Sequence, residues 1–97
     1  MLVRMVYFLY HMFEFDPAKS AVNKLKHGID FAEAQALWLD PDRLEIPARS
    51  ADEPRCQVIG RIGEAVRSAF ITYREGAVRI MSVRRARREE QARYVGE

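Results

Sequence analysis

The sequence is poor in the residues that build disulfides, metal centres and phosphate loops. Cys56 is the single cysteine among 97 residues. No intramolecular disulfide can form, which suits a reducing cytoplasm. His11 and His27 are the only histidines, and together with Cys56 they lack the paired spacings of a zinc site. The five glycines are scattered, without the clustering a phosphate-cradling loop needs. No hydrophobic run approaches the roughly 20 residues of a membrane span. The apolar opening, Met1 to His11, carries Arg4, and no small-residue cleavage site follows it before Phe13-Glu14-Phe15. It therefore does not read as a signal peptide. Repeats, linkers and low-complexity tracts are also missing. What is present is 48% hydrophobic residues, enough for one small packed domain and too many for a wholly disordered chain.

Charge is uneven. The net value is only +2, yet residues 79–93 hold Arg79, Arg84, Arg85, Arg87, Arg88 and Arg93 against Glu89 and Glu90. A basic cluster at one end of a near-neutral domain suits phosphate or an acidic protein partner.

The clearest local structure lies between Phe15 and Gly28. Asp16 is a natural N-cap for the first-turn N–H groups. Pro17 fits position N1, where its missing N–H costs nothing. Gly28 fits the left-handed residue that stops a helix. Ala18, Ala21, Val22 and Leu25 recur at helical spacing and predict a narrow buried stripe. Lys19, Asn23, Lys26 and His27 are then expected elsewhere on the helix, as two ammonium groups, an amide and an imidazole.

The remaining elements follow from period and punctuation. Met12 to Phe15 alternates as a short strand, with Phe13 and Phe15 inward. Asp30 and Glu33 form a capping pair for a helix from Phe31 to about Leu39, with Phe31, Ala34, Leu37 and Trp38 on its apolar side. Leu44 to Ile46 is a short strand whose neighbour Pro47 requires an edge or end position. Residues 48–54 form a polar loop. Arg55–Ile62, Ala65–Arg74 and Ala77–Arg84 are strands joined by the tight turns Gly63-Glu64 and Glu75-Gly76, an antiparallel meander. In the last strand simple alternation groups Val78, Ile80, Ser82 and Arg84 against Arg79, Met81 and Val83. Arg85 to Val95 is a helix with a thin apolar stripe of Ala86, Ala92, Tyr94 and Val95. Segregated strands and helices mean an α+β fold: a small antiparallel sheet packed with two N-terminal helices and a C-terminal helix. The expected core is Phe13, Phe15, Leu37, Trp38, Val58, Phe70 and Ile80.

Phe15-Asp16-Pro17-Ala18-Lys19, Asn23, Lys26-His27-Gly28 and Phe31 together resemble the opening signature of the BrnT family of bacterial toxins. Ile80 to Tyr94, with Ser82, Arg84, Ala86, Glu90 and Tyr94, is similar to that family's closing signature. Met81 and Val83 depart from the usual residues around Ser82, and Cys56-Gln57 stand where an aromatic and an aliphatic residue are usual. The resemblance implies a RelE-like fold over a single domain, residues 12–97. It begins near Phe13, so residues 1–11 read as an extension: a start assigned ahead of Met12, a lengthened first strand, or an accessory element packed on the domain. It also implies a metal-independent endoribonuclease without cofactors that inhibits translation by cutting RNA. The implied partner is a BrnA-like, DNA-binding antitoxin, in a heterotetramer that reaches DNA only through the antitoxin.

Metal-free RNA cleavage needs a base for the 2′-hydroxyl, cations for the crowded phosphate and an acid for the leaving 5′-oxygen. Arginine suits the cationic role, being always charged and bidentate. Arg84, which matches the closing motif, is the first candidate. Lys19 and Lys26 match the opening motif. Histidine is the side chain whose unperturbed pKa lies near neutrality, and His27 serves as base or acid, or else caps its helix. Glu90 orients an arginine, acts as base, or pairs with Arg87 one turn away. Tyr73 is a proton donor or part of the core. Arg49, Arg61, Arg85, Arg87 and Arg88 are candidates for RNA binding, as is Arg55, each against a solvent-facing role. Two rivals stand beside the nuclease: a basic domain that binds nucleic acid without turnover, and a module whose Arg-rich last helix docks on an acidic protein.

Overall fold

The computed structural model describes residues 12–48 and 54–96. The expected extension, residues 1–11, most of the polar loop and Arg49 lie outside the described residues. The chain runs β1 (Met12–Glu14), α1 (Pro17–His27), a 3₁₀ helix (Glu33–Leu39), β2 (Leu44–Ala48), β3 (Arg55–Ile62), β4 (Ala65–Arg74), β5 (Ala77–Arg85) and α2 (Arg88–Val95). The α+β class and the meander hold. The second helix is 3₁₀ rather than α, and α2 begins three residues later than expected.

The five strands form one sheet in the order β1-β5-β4-β3-β2. It is mixed, not antiparallel, because β1 pairs parallel to β5 through Met12–Ala77, Phe13–Val78 and Glu14–Arg79. A three-residue strand carries too little pattern to reveal its partner. Its side chains decide the matter: Phe13 packs edge-on against Trp38 at 5.0 Å, and Phe15 against Phe31 at 5.7 Å. Pro47 sits on the edge strand β2, where its missing N–H breaks no inner ladder.

One sheet face carries the main core. Val58, Ala69, Ile71, Val78, Ile80 and Val83 meet Phe31, Ala34, Leu37 and Trp38 there. Fully burying each large member contributes roughly 1.5–3 kcal/mol. The 3₁₀ helix comes so close to β3 that a Cβ on Gly60 would stand 3.0 Å from Leu37 Cδ2. A smaller cluster on the opposite face joins Ile59, Val66 and Ala86 to Leu44, Ile46 and Tyr94. Phe70, expected in the core, belongs to neither cluster.

Two of the expected faces are reversed. In β5 the register with β4 shifts between Ser82 and Ile80, leaving Met81 as an extra residue. This bulge turns Val83 onto the core face beside Ile80 and sends Ser82 and Arg84 to the other. In α1 the capping reads as expected: Asp16 accepts from the Ala18 and Lys19 amides, and Gly28 is left-handed. The apolar stripe, however, faces outward, with Val22 52% and Leu25 88% exposed. Ser20 and Asn23 are buried instead. Each of their polar side-chain atoms has a partner. Ser20 Oγ accepts from the Phe31 amide. The Asn23 amide donates to the Ile29 and Val83 carbonyls, and its oxygen accepts from the Val83 amide. Asn23 thus supplies the pairing that an additional strand would give β5 past its short overlap with β1. Hydrogen-bond demand at this edge overrides the hydrophobic pattern of a short helix.

Candidate active site

Arg84 lies near the end of β5, opposite Ser68 of β4. Its guanidinium pairs with Glu90 through two parallel bonds, Nη1–Oε1 at 2.8 Å and Nη2–Oε2 at 2.9 Å. Such fork-to-fork pairing fixes orientation as well as charge. Glu90 comes from the first turn of α2 and is held by two further donors. The Arg87 backbone amide reaches Oε1 at 2.8 Å, and Gln57 Nε2 reaches Oε2 at 2.7 Å. Gln57 also donates to Ser68 Oγ at 2.7 Å. Beneath the pair lies the Phe70 ring, 5.3 Å from the Arg84 guanidinium carbon, a cation–π contact.

The electrostatics follow from this geometry. Arg84 is held above its ordinary pKa, chiefly by its bond to Glu90 and against the cost of burial. Glu90 is pulled down to about 2, first by Arg84, with burial opposing and the Arg87 and Gln57 donors assisting. A carboxylate this acidic is a poor proton acceptor at neutral pH. Nη1 also donates to the Arg85 carbonyl. Five guanidinium N–H groups minus those engaged leave Nε–H and one Nη2–H for an incoming anion.

Lys19, Lys26 and His27 share one groove along α1 with Ala18, Val22 and Asn23, closed on its far side by Met81 and Ser82 of the bulge. Neither lysine has an ion-pair partner among the described residues. Arg84 does not line this groove. Ser82 connects the two places, because it stands two residues from Arg84 on the same face and directly opposite Phe70. The site is therefore a strip: the α1 groove, then Ser82 at the bulge, then Phe70 and Arg84 on the open sheet face. His27 is exposed at the C-terminal end of α1, and its carbonyl accepts from Arg67 Nη1.

The other candidates scatter. Glu90 pairs with Arg84, leaving Arg87 exposed at the start of α2 beside exposed Arg88. Arg85 is exposed opposite Arg67. Arg61 lies over the Tyr94 ring at 5.6 Å, in a corner where Asp40 accepts from both the Arg61 amide and the Tyr94 hydroxyl. Arg55 is exposed at the start of β3. Tyr73 donates to Glu45 Oε1 on the edge strand, and burial, then Glu45, pushes its phenol up, so it stays protonated. The sequence marks Phe70 only as core, Gln57 only as a departure from the family pattern and Ser68 not at all, since only strand register brings the three beneath Arg84. Among the described residues no three His, Cys, Asp or Glu side chains gather as metal ligands, and no helix is long and apolar enough to cross a membrane.

No curated protein matches the chain. A family model does, over residues 15–90, described as the ribonuclease toxin BrnT of type II toxin–antitoxin systems. The match runs from Phe15, at the entry to α1, to Glu90, the partner of Arg84, and so takes in every part of the strip. On that match the chain belongs to the BrnT family of ribonuclease toxins.

Proposed function

We propose that the chain cuts RNA without a metal ion, and that the strip from the α1 groove to Arg84 is where it does so. The observation that carries this reading is the Arg84 guanidinium, held by Glu90 with two N–H donors to spare, next to a groove holding Lys19, Lys26 and His27. In the proposed reaction a base removes the 2′-hydroxyl proton and the 2′-oxygen attacks phosphorus. The P–O5′ bond breaks, leaving a 2′,3′-cyclic phosphate, and an acid protonates the departing 5′-oxygen. His27 is assigned a proton-transfer role. Arg84, Lys19 and Lys26 stabilise the added negative charge, and Phe70 offers a face on which a base stacks. Glu90 and Gln57 act through Arg84 as positioning residues.

In its cell this activity would halt translation from the cytoplasm. Membership in a type II toxin–antitoxin family implies an antitoxin. A BrnA-like, DNA-binding antitoxin, a heterotetrameric complex and a RelE-like fold belong to the same proposal. The test is cleavage of purified RNA in EDTA by the parent, Arg84→Lys and His27→Ala. Parent cleavage in EDTA, reduced about 10²–10³-fold in Arg84→Lys, is expected if the paired guanidinium meets developing charge. RNA bound but left intact by the parent would replace the nuclease with a binding domain.

A further inference from the structure

Among the described residues, the outward face of α1 has no partner. Ala18, Ala21, Val22 and Leu25 form a ridge, and Leu25 is 88% exposed. A groove runs along each side. One is the candidate RNA groove, with Val22 and Met81. The other is lined by Phe15, Pro17, Ala21, Leu25 and Ala32. A ridge between two grooves is the shape that packs against another helix. The helix itself carries charge of one sign, Lys19, Lys24 and Lys26 with no acid between Pro17 and His27, while Asp30 lines the second groove. Lys24 is engaged by Glu33, whereas Lys19 and Lys26 have no ion-pair partner among the described residues.

We infer that the α1 ridge is the docking surface for an acidic, amphipathic segment of the antitoxin, which places apolar side chains on Leu25 and Val22 and carboxylates against Lys19 and Lys26. Aliphatic side chains favour this occupant over RNA, because a sugar–phosphate chain has little to gain from covering leucine, whereas an apolar helix face buries it. Complementary charge gives the encounter speed and specificity. Ala18 and Val22 belong to both the ridge and the RNA groove, and Lys19 and Lys26 line that groove beside them, so one segment covers the surface and blocks the site together. The inference rests on the proposed function only for what the docked segment silences.

The experiment measures affinity for the purified cognate antitoxin. Leu25→Gln, Leu25→Glu and, on a separate exposed leucine, Leu39→Gln are compared with the parent. Each variant is also assayed for RNA cleavage without antitoxin, and circular dichroism verifies that α1 is retained. Leu25→Gln should weaken the complex about 10-fold or more, as expected for loss of a buried leucine. Leu25→Glu should weaken it further, and Leu39→Gln should match the parent. Cleavage by free Leu25→Gln should equal the parent's, and the parent complex should loosen as salt rises. Parent-like binding by both Leu25 variants, loss at Leu39 instead, or no complex at all overturns the docking surface. Impaired RNA cleavage in free Leu25→Gln, with antitoxin binding intact, makes the ridge an RNA surface. A Leu25-dependent complex with a parent that leaves RNA intact overturns the nuclease and keeps the docking surface.

Discussion

Glu90→Gln is the most informative single change, because it removes charge from the carboxylate while keeping its shape. The side chains of Arg84 and Glu90 are 21% and 14% exposed, so solvent screens the pair only partly. A carboxyl whose pKa falls from 4.5 to about 2 on folding contributes about 3 kcal/mol of stability at neutral pH. Because the folded pKa is depressed, that contribution is fully present above pH 4.5. It is lost as pH falls towards 2, with about 2 kcal/mol gone by pH 3. Glu90→Gln should therefore be less stable than the parent by up to about 3 kcal/mol at pH 7. In a domain of this size that lowers Tm by on the order of 10–20 °C. The gap should shrink to about 1 kcal/mol at pH 3. Paired thermal or urea melts from pH 7 to pH 3 give the difference directly, and other carboxyl groups cancel because both proteins carry them. A gap that is unchanged across this range would refute the pairing, since a purely steric loss does not titrate.

Other perturbations read other parts of the chain. Asn23→Ala removes three buried hydrogen bonds and should cost about 2–4 kcal/mol, seen in urea unfolding together with faster hydrogen exchange at the Val83 amide. Gly60→Ala forces a methyl to 3.0 Å from Leu37 Cδ2 and should destabilise by about 1–3 kcal/mol in the same assay. Asp16→Ala deletes the N-cap of α1 and should cost about 1 kcal/mol, measured by thermal melting. Lys26→Ala should weaken RNA binding and flatten the slope of log K against log salt by about 0.7; an unchanged slope would take Lys26 off the RNA.

The parts of this protein that the sequence determined by itself are those whose causes lie within a few residues. Asp16, Pro17 and Gly28 bound α1 because caps act on the nearest turn. Asp30 and Glu33 exchange bonds as a capping pair, 2.9 and 2.7 Å, for the same reason. The turns at Gly63-Glu64 and Glu75-Gly76 set the β3–β4–β5 meander, whose register follows from turn length as far as the bulge at Met81. The two motif blocks also marked Arg84, Glu90 and the α1 cations. Tertiary structure decided what depends on distant partners. Whether α1 buries its apolar stripe or Asn23 was settled by the unpaired edge of β5, 60 residues away, where an unmet backbone group costs more than an exposed leucine. The bulge at Met81 reversed the faces of β5, which no simple alternation anticipates. The parallel placement of β1 came from aromatic packing on Trp38 and Phe31. Only the folded sheet brings Gln57, Ser68 and Phe70 under Arg84, and so makes one arginine of a basic cluster into a held, directed cation.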